Sequence, residues 1–144
     1  MSSCLFCAVV AGDEQAAVVT RTEGAVAFLD YRPLFKGHTL VVPEAHIETL
    51  ASMPPPMVEP FFRLVQEVSR AVVTALGAEG SFVAMNNTVS QSVPHLHAHV
   101  VPRTKGDGLR GFFWPRLRYD EGEMAQYALR LSGALAPADG HTGS

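Results

Sequence analysis

Short apolar-rich runs of strand length occur at Ala17 to Arg21, Ala25 to Asp30 and His38 to Val42. The turn signal Thr22-Glu23-Gly24 and the loop YRPLFKG separate them, which reads as an antiparallel meander. The period then changes. After the breaker MPPP, Val58, Phe61, Phe62, Val65, Val68, Val72 and Leu76 recur at helical spacing and Gly77 supplies a stop, predicting one long helix packed by one face. Two further strands are expected at Ser81 to Asn86 and His95 to Val101, and a last helix from Asp120, where Glu123 stands at capping-box distance. The order β-β-β-α-β-β-α defines an α+β fold with an antiparallel sheet. No internal repeat interrupts it. Residues 1–136 are expected to form a single domain and the segment PADGHTGS, 137–144, a flexible tail, which removes His141 from the candidate site residues.

Composition narrows the class. A chain of 144 residues, 47% apolar, fits one domain that buries about two-thirds of the surface its unfolded form exposes. The net charge of -3, from 11 basic and 14 acidic side chains, argues against a general nucleic-acid or membrane-surface binder. No run approaches the roughly 18 apolar residues of a membrane span, and the start MSSCLFCAVVAGDEQ has no basic lead before an apolar core. A cytoplasmic soluble protein is expected. The only cysteines, Cys4 and Cys7, lie too close together to staple a fold, so the pair is a redox site, half of a metal site, or unligated.

The chemistry concentrates in PHLHAHVVPR, residues 94–103, which holds three of the six histidines at alternate positions. Alternation puts His95, His97 and His99 on one face of a strand and Leu96, Ala98 and Val100 on the other. Three imidazoles at that spacing cannot all be protonated cheaply, so at least one is neutral, fixed by hydrogen bonds or a metal. A single catalytic zinc held by all three is one candidate, but three same-face positions span about 13 Å at the strand rise of ~3.3 Å per residue. At most two neighbours share an ion. The alternative is division of labour, with one histidine a nucleophile toward phosphorus, one activating or orienting it, and one in a structural site.

With its apolar spacers, His95-Leu96-His97-Ala98-His99-Val100-Val101 resembles the His-x-His-x-His-x-x signature of the histidine triad (HIT) superfamily of nucleotide hydrolases and transferases. CLFC, AFLD, GHTLVVPEAH and NNTVSQSV follow in that family's order, so the resemblance covers residues 4 to 103, in the branch that opens with Cys-x-x-Cys. It implies a five-stranded antiparallel sheet with one long helix, and a homodimer whose sheets join into ten strands. It also implies attack by the middle histidine, His97, on the α-phosphate of an adenosine nucleotide to form a nucleotidyl-histidine, which water or another acceptor resolves. His99 would hydrogen-bond near the same phosphate, and the substrate would be a dinucleoside polyphosphate, a phosphoramidate or a phosphosulfate. A nucleotide-binding regulator with negligible turnover is the alternative function for the same pocket.

By the same resemblance Cys4, Cys7, His46 and His95 would hold a structural zinc, a closed Cys2His2 set. Asp30 would meet the ribose hydroxyls, or else cap a turn at the end of its strand. Asn86, Gln91 and Ser92 would contact the phosphate. Here the chain departs from its relatives, because NNTVSQS is short and has no glycine between the asparagines and Gln91; Asn87 therefore stands as an alternative to Asn86. His38 falls where family members often carry a histidine near the triad. Beyond the triad, RTKGDGLRGFFWPRLR combines Arg103, Lys105, Arg110, Arg116 and Arg118 with Phe112, Phe113 and Trp114. Arginines suit phosphates and a tryptophan suits a base, although packing of the aromatics at an interface explains them as simply. Arg103, directly after the strand, is the candidate taken from this group.

Overall fold

A computed structural model describes residues 4–109 and 116–135 of the chain. The expected tail at 137–144 and the residues Arg110, Phe112, Phe113 and Trp114 lie outside the described residues. The chain divides into two compact units, Met1–Asp107 and Gly108–Ser144.

The first unit is a five-stranded antiparallel sheet. Its strands are β1 (Val18–Thr22), β2 (Ala25–Leu29), β3 (Thr39–Pro43), β4 (Gly80–Ala84) and β5 (Ala98–Arg103), in the spatial order β1-β2-β3-β5-β4. Two helices belong to this unit, α1 (Leu5–Ala11) and α2 (Pro55–Leu76). The expected meander forms as β1-β2-β3, and β5 inserts between β3 and β4.

α2 starts within the proline run that the sequence suggested would precede it, because a proline at the first helical positions loses no intrahelical hydrogen bond. It ends on Gly77, left-handed at φ 75°, whose amide reaches the Val72 and Val73 carbonyls. Phe61, Leu64, Val65, Val68 and Val72 form its buried stripe, packed with Ala25, Ala27, Val41, Ala98 and Val100 of the sheet and with Leu96 just before β5. Val58, Phe62 and Leu76, which the spacing grouped with that stripe, stay exposed beside Val73. The helix therefore carries two apolar faces, of which the sheet takes one.

α1 is an element that the sequence pattern missed. It buries Phe6 and Val9 against Val26, Phe28, Leu40 and Val42 on the other face of the sheet. Strands β2 and β3 are consequently covered on both sides. Cys4 caps the helix at its start, its Sγ accepting the Cys7 amide at 3.3 Å, and Gly12 closes it in the left-handed region at φ 84°.

The triad segment begins outside the ladder. A strand from His95 was expected; β5 starts at Ala98, because the Leu96 amide goes to the Ile47 carbonyl at 2.7 Å and the His97 ring takes the His95 carbonyl. The alternation of faces survives this. Leu96, Ala98 and Val100 still point under α2, and the histidines take the α1 side.

The second unit contains one described helix, α3 (Glu123–Leu135). It starts three residues later than expected, and Glu123 Oε1 accepts the Asp120 amide at 2.9 Å in the turn ahead of the helix.

Candidate active site and metal centre

Tautomers at the triad follow from its hydrogen bonds, since a carbonyl only accepts and a backbone amide only donates. His97 Nδ1 lies 2.8 Å from the His95 carbonyl, so it carries a proton, and the tautomer this bond selects has its lone pair on Nε2. The Leu34 amide donates to His38 Nδ1 at 3.1 Å. His38 Nε2 therefore holds its proton and donates it to His99 Nδ1 at 3.0 Å. That leaves the His99 proton on Nε2. One backbone amide thus sets two rings in turn, and the His99 and His97 rings lie 5.0 Å apart, edge to face.

Burial favours the neutral form of His38 and His99. His38 is buried and its pKa is lowered by desolvation, with the Asp30 carboxylate pulling the other way. His99 is pushed down to about 4, first by desolvation and then by His97 and His38, again against Asp30. The Asp30 carboxylate divides its oxygens between two tasks. Oδ1 accepts the Arg32 amide at 2.9 Å, the turn cap, while Oδ2 stands 3.7 Å from His38 Nε2. The proton on that nitrogen serves His99, the shorter contact.

A cavity of about 740 Å³ opens beside this group. Leu5, Phe6, Val9, Phe28 and Leu40 supply apolar lining; Asp30, Ser92, His97 and His99 bring polar groups, as do Glu14, Gln15 and Tyr31. Gln91 and both asparagines instead brace the loop that delivers Ser92. Gln91 accepts the Thr88 amide and donates to the Glu48 carbonyl, Asn87 accepts the Leu50 amide at 2.6 Å, and Asn86 donates to the Ser90 carbonyl at 3.2 Å. Thr88 and Ser90 hold positive φ of 72° and 63° within this glycine-free loop, conformations that need such bracing. Arg103 is not brought to the cavity. It sits at the far end of β5 and holds Asp107 through Nε at 2.7 Å and a second nitrogen at 3.0 Å.

The sequence signal missed α1, and with it the wall that Leu5, Phe6 and Val9 supply. Gly12, two residues before the segment that continues this wall at 14–17, was the available sign of a helix end.

Cys4, Cys7, His46 and His95 each offer one ligand atom, all within 4.8 Å of one another. His95 is fully buried and donates from Nε2 to the Pro43 carbonyl at 2.9 Å, so its Nδ1 lone pair faces the thiols. Fixing a ligand's tautomer in this way is a usual feature of metal-binding histidines. Nδ1 of His95 lies 3.4 and 3.5 Å from the two sulfurs, and Nδ1 of His46 lies 3.2 Å from Cys7 Sγ. Metal–sulfur and metal–nitrogen bonds of about 2.3 and 2.0–2.1 Å give a tetrahedral N···S edge of about 3.5 Å. The donor set therefore fits one tetrahedral ion. Burial and the neighbouring Cys4 thiol raise the Cys7 pKa, a shift that a bound dication reverses.

Fold and site together are those of a small α+β protein with a histidine-lined cavity and a separate Cys2His2 group. The HIT domain family model matches residues 11–106, and the chain belongs to that family. Relatives include Protein hit of Bacillus subtilis, 38% identical over 115 residues, 78% of this chain and 79% of that one. Adenosine 5'-monophosphoramidase hnt1 of Schizosaccharomyces pombe is 33% identical over 92% of this chain and 98% of its own length. Adenylylsulfatase HINT3 of Arabidopsis thaliana is 31% identical over 75% of this chain and 56% of its own. Among solved structures, a HIT family member from B. subtilis superposes with a TM-score of 0.88 at 30% identity, covering 95% of this chain and all of that one. A Zn-bound histidine triad protein from Mycobacterium smegmatis does so at 0.71 and 36% identity, covering 92% and 97%.

Proposed function

We propose that this chain hydrolyses adenosine nucleotides at the α-phosphate through a nucleotidyl-histidine on His97. The observation that carries the reading is the His97 ring, whose Nδ1 proton is fixed on the His95 carbonyl. Its free Nε2 lone pair belongs to a ring lining a cavity with apolar lining for a base and Asp30 for a ribose. In the first step Nε2 bonds to the α-phosphorus as the bond to the leaving group breaks, and a phosphoramidate amine takes up a proton from solvent water as it departs. His99, with its proton on Nε2, donates to a phosphate oxygen, and Ser92 does the same from the opposite loop. In the second step water attacks the phosphorus, the bond to His97 breaks, and AMP leaves. Asn86 and Gln91 serve by holding the loop that carries Ser92.

The relatives named as an adenosine 5'-monophosphoramidase and an adenylylsulfatase support an AMP half joined to a variable leaving group. The metal of the Cys4–Cys7–His46–His95 group is proposed to be zinc, supported by the donor set and by the Zn-bound neighbour. All four positions are filled by protein, so the ion supplies cohesion to the N-terminal segment and no open site for catalysis. A homodimer is proposed through β4, a sheet edge whose Val83 is exposed, and the second apolar face of α2. Light scattering reads its mass directly. No described helix is long and apolar enough to cross a membrane.

The reading is tested by AMP release from adenosine 5'-phosphoramidate, adenosine 5'-phosphosulfate and a dinucleoside polyphosphate. Wild type releases AMP from at least one and His97→Ala loses it by about 10³-fold or more, the scale for removing a nucleophile. Nucleotide bound tightly with no product from any of the three would favour a binding protein.

A further inference from the structure

The metal group and the cavity share one short helix. α1 has seven residues, well under the roughly 12–15 at which an isolated helix becomes marginal in water. It is held on the sheet through two buried residues, Phe6 and Val9. Its N-terminus is fixed by Cys4, whose sulfur accepts the Cys7 amide, and both thiols belong to the metal group. Its inner face, with Leu5, Phe6 and Val9, forms part of the apolar lining of the cavity, and the chain leaving it through Gly12 continues that wall. Phe6 stands where these meet. Its ring lies edge-on to His97 at 4.9 Å, to the ligand His95 at 6.0 Å and to Phe28 at 5.5 Å.

We propose that Phe6 is a positioning residue that carries metal occupancy to the nucleotide cavity. With an ion on Cys4, Cys7, His46 and His95, α1 is tied down, Phe6 buttresses the His97 ring and the apolar wall is complete. Without it, the short helix loses its tether, the wall opens and the His97 ring loses its edge contact. The proposal rests on the nucleotide reading of the cavity. Linkage then requires metal and nucleotide to tighten each other's binding by one common factor. An ion that merely held the whole fold together would also respond to nucleotide, so the test must separate a local effect from a global one.

The probes are zinc and AMP on the full chain. Zinc affinity is measured by competition with a chromophoric chelator, with and without saturating AMP, and AMP affinity by calorimetry before and after zinc removal. The expected factor is at least about fivefold and equal in both directions. In Phe6→Leu, which keeps an apolar side chain but no ring edge, it falls toward one while zinc affinity without AMP stays within about twofold. Amide exchange after zinc removal is expected to rise over residues 5–11 while β3 and β5 stay protected. A wild-type factor of one, or a Phe6→Leu factor equal to wild type, overturns the proposal. So does loss of protection in β3 and β5 together with α1. Failure of the zinc-loaded protein to bind AMP at all overturns the nucleotide reading as well, and is thereby distinguished from AMP that binds indifferently to zinc.

Discussion

Replacing His38 by phenylalanine keeps the ring volume at a site only 3% exposed and removes both of its polar ends. Two groups lose their partners, the Leu34 amide at 3.1 Å and His99 Nδ1 at 3.0 Å. An unsatisfied polar group costs about 1–3 kcal/mol when fully buried; both bonds here are partly buried, so the sum is set near the low end, about 2 kcal/mol. Cavity formation adds little, because the volume is conserved. The second effect is on His99. With no donor facing Nδ1, its proton is free to sit on either nitrogen, and the Nε2–H proposed to face the phosphate is no longer enforced. A loss of roughly 10–100-fold in kcat/KM follows from losing one oriented donor. Urea denaturation at neutral pH with zinc present reads the first number and AMP release the second. His38→Gln, which can still accept and donate, is expected to recover part of both. A His38→Phe protein as stable and as fast as wild type would refute the relay from Leu34 through His38 to His99.

Two further outcomes follow from single positions. Burial lowers the His99 pKa from 6.5 to about 4, so the unfolded chain takes up this proton before the folded one does. The contribution to stability is intact above pH 6.5 and is lost as pH falls from there toward 4, with a ceiling of about 3.4 kcal/mol that partial solvent access reduces to about 1–2. The difference in unfolding free energy between wild type and His99→Asn, followed across that window, isolates the effect from acid loss of the metal; a constant difference would contradict it. Gly37 holds φ +101°, and a Cβ there would clash with Leu76 Cδ1. The leucine can turn aside but the backbone cannot, so Gly37→Ala is expected to lower stability by about 1–3 kcal/mol in thermal or urea unfolding.

Periodicity made β1 to β4 and α2 legible, to within one or two residues at most ends, because their side chains alternate or recur where the chain packs. It reports which way side chains face and says little about where amides bond. That is why β5 was expected three residues too early: His95, Leu96 and His97 continue the alternation while the Leu96 amide leaves the ladder for Ile47. α1 escaped notice for a different reason. LFCAVVA is nearly uniformly apolar, too short to show a period, and opened by a cysteine, which is not a usual helix cap. On α2, Phe61 and Phe62 are adjacent and apolar, yet only Phe61 faces the sheet, a distinction that the one-dimensional pattern blurs. The site was legible as a set of residue types and through family resemblance. Its wiring was not: the contact from His38 to His99 joins positions 61 residues apart, and only the folded sheet brings β3 beside β5.

The central claim concerns the Nε2 lone pair of His97. Intact-protein mass spectrometry after a rapid acid-free quench, during turnover of whichever adenosine substrate releases AMP, reads it most directly. One adenylyl group on wild type, mapped by fragmentation to His97 and absent from His97→Ala, is the predicted result. AMP released at an unchanged rate by His97→Ala, or an adduct mapped to another residue, would contradict the account.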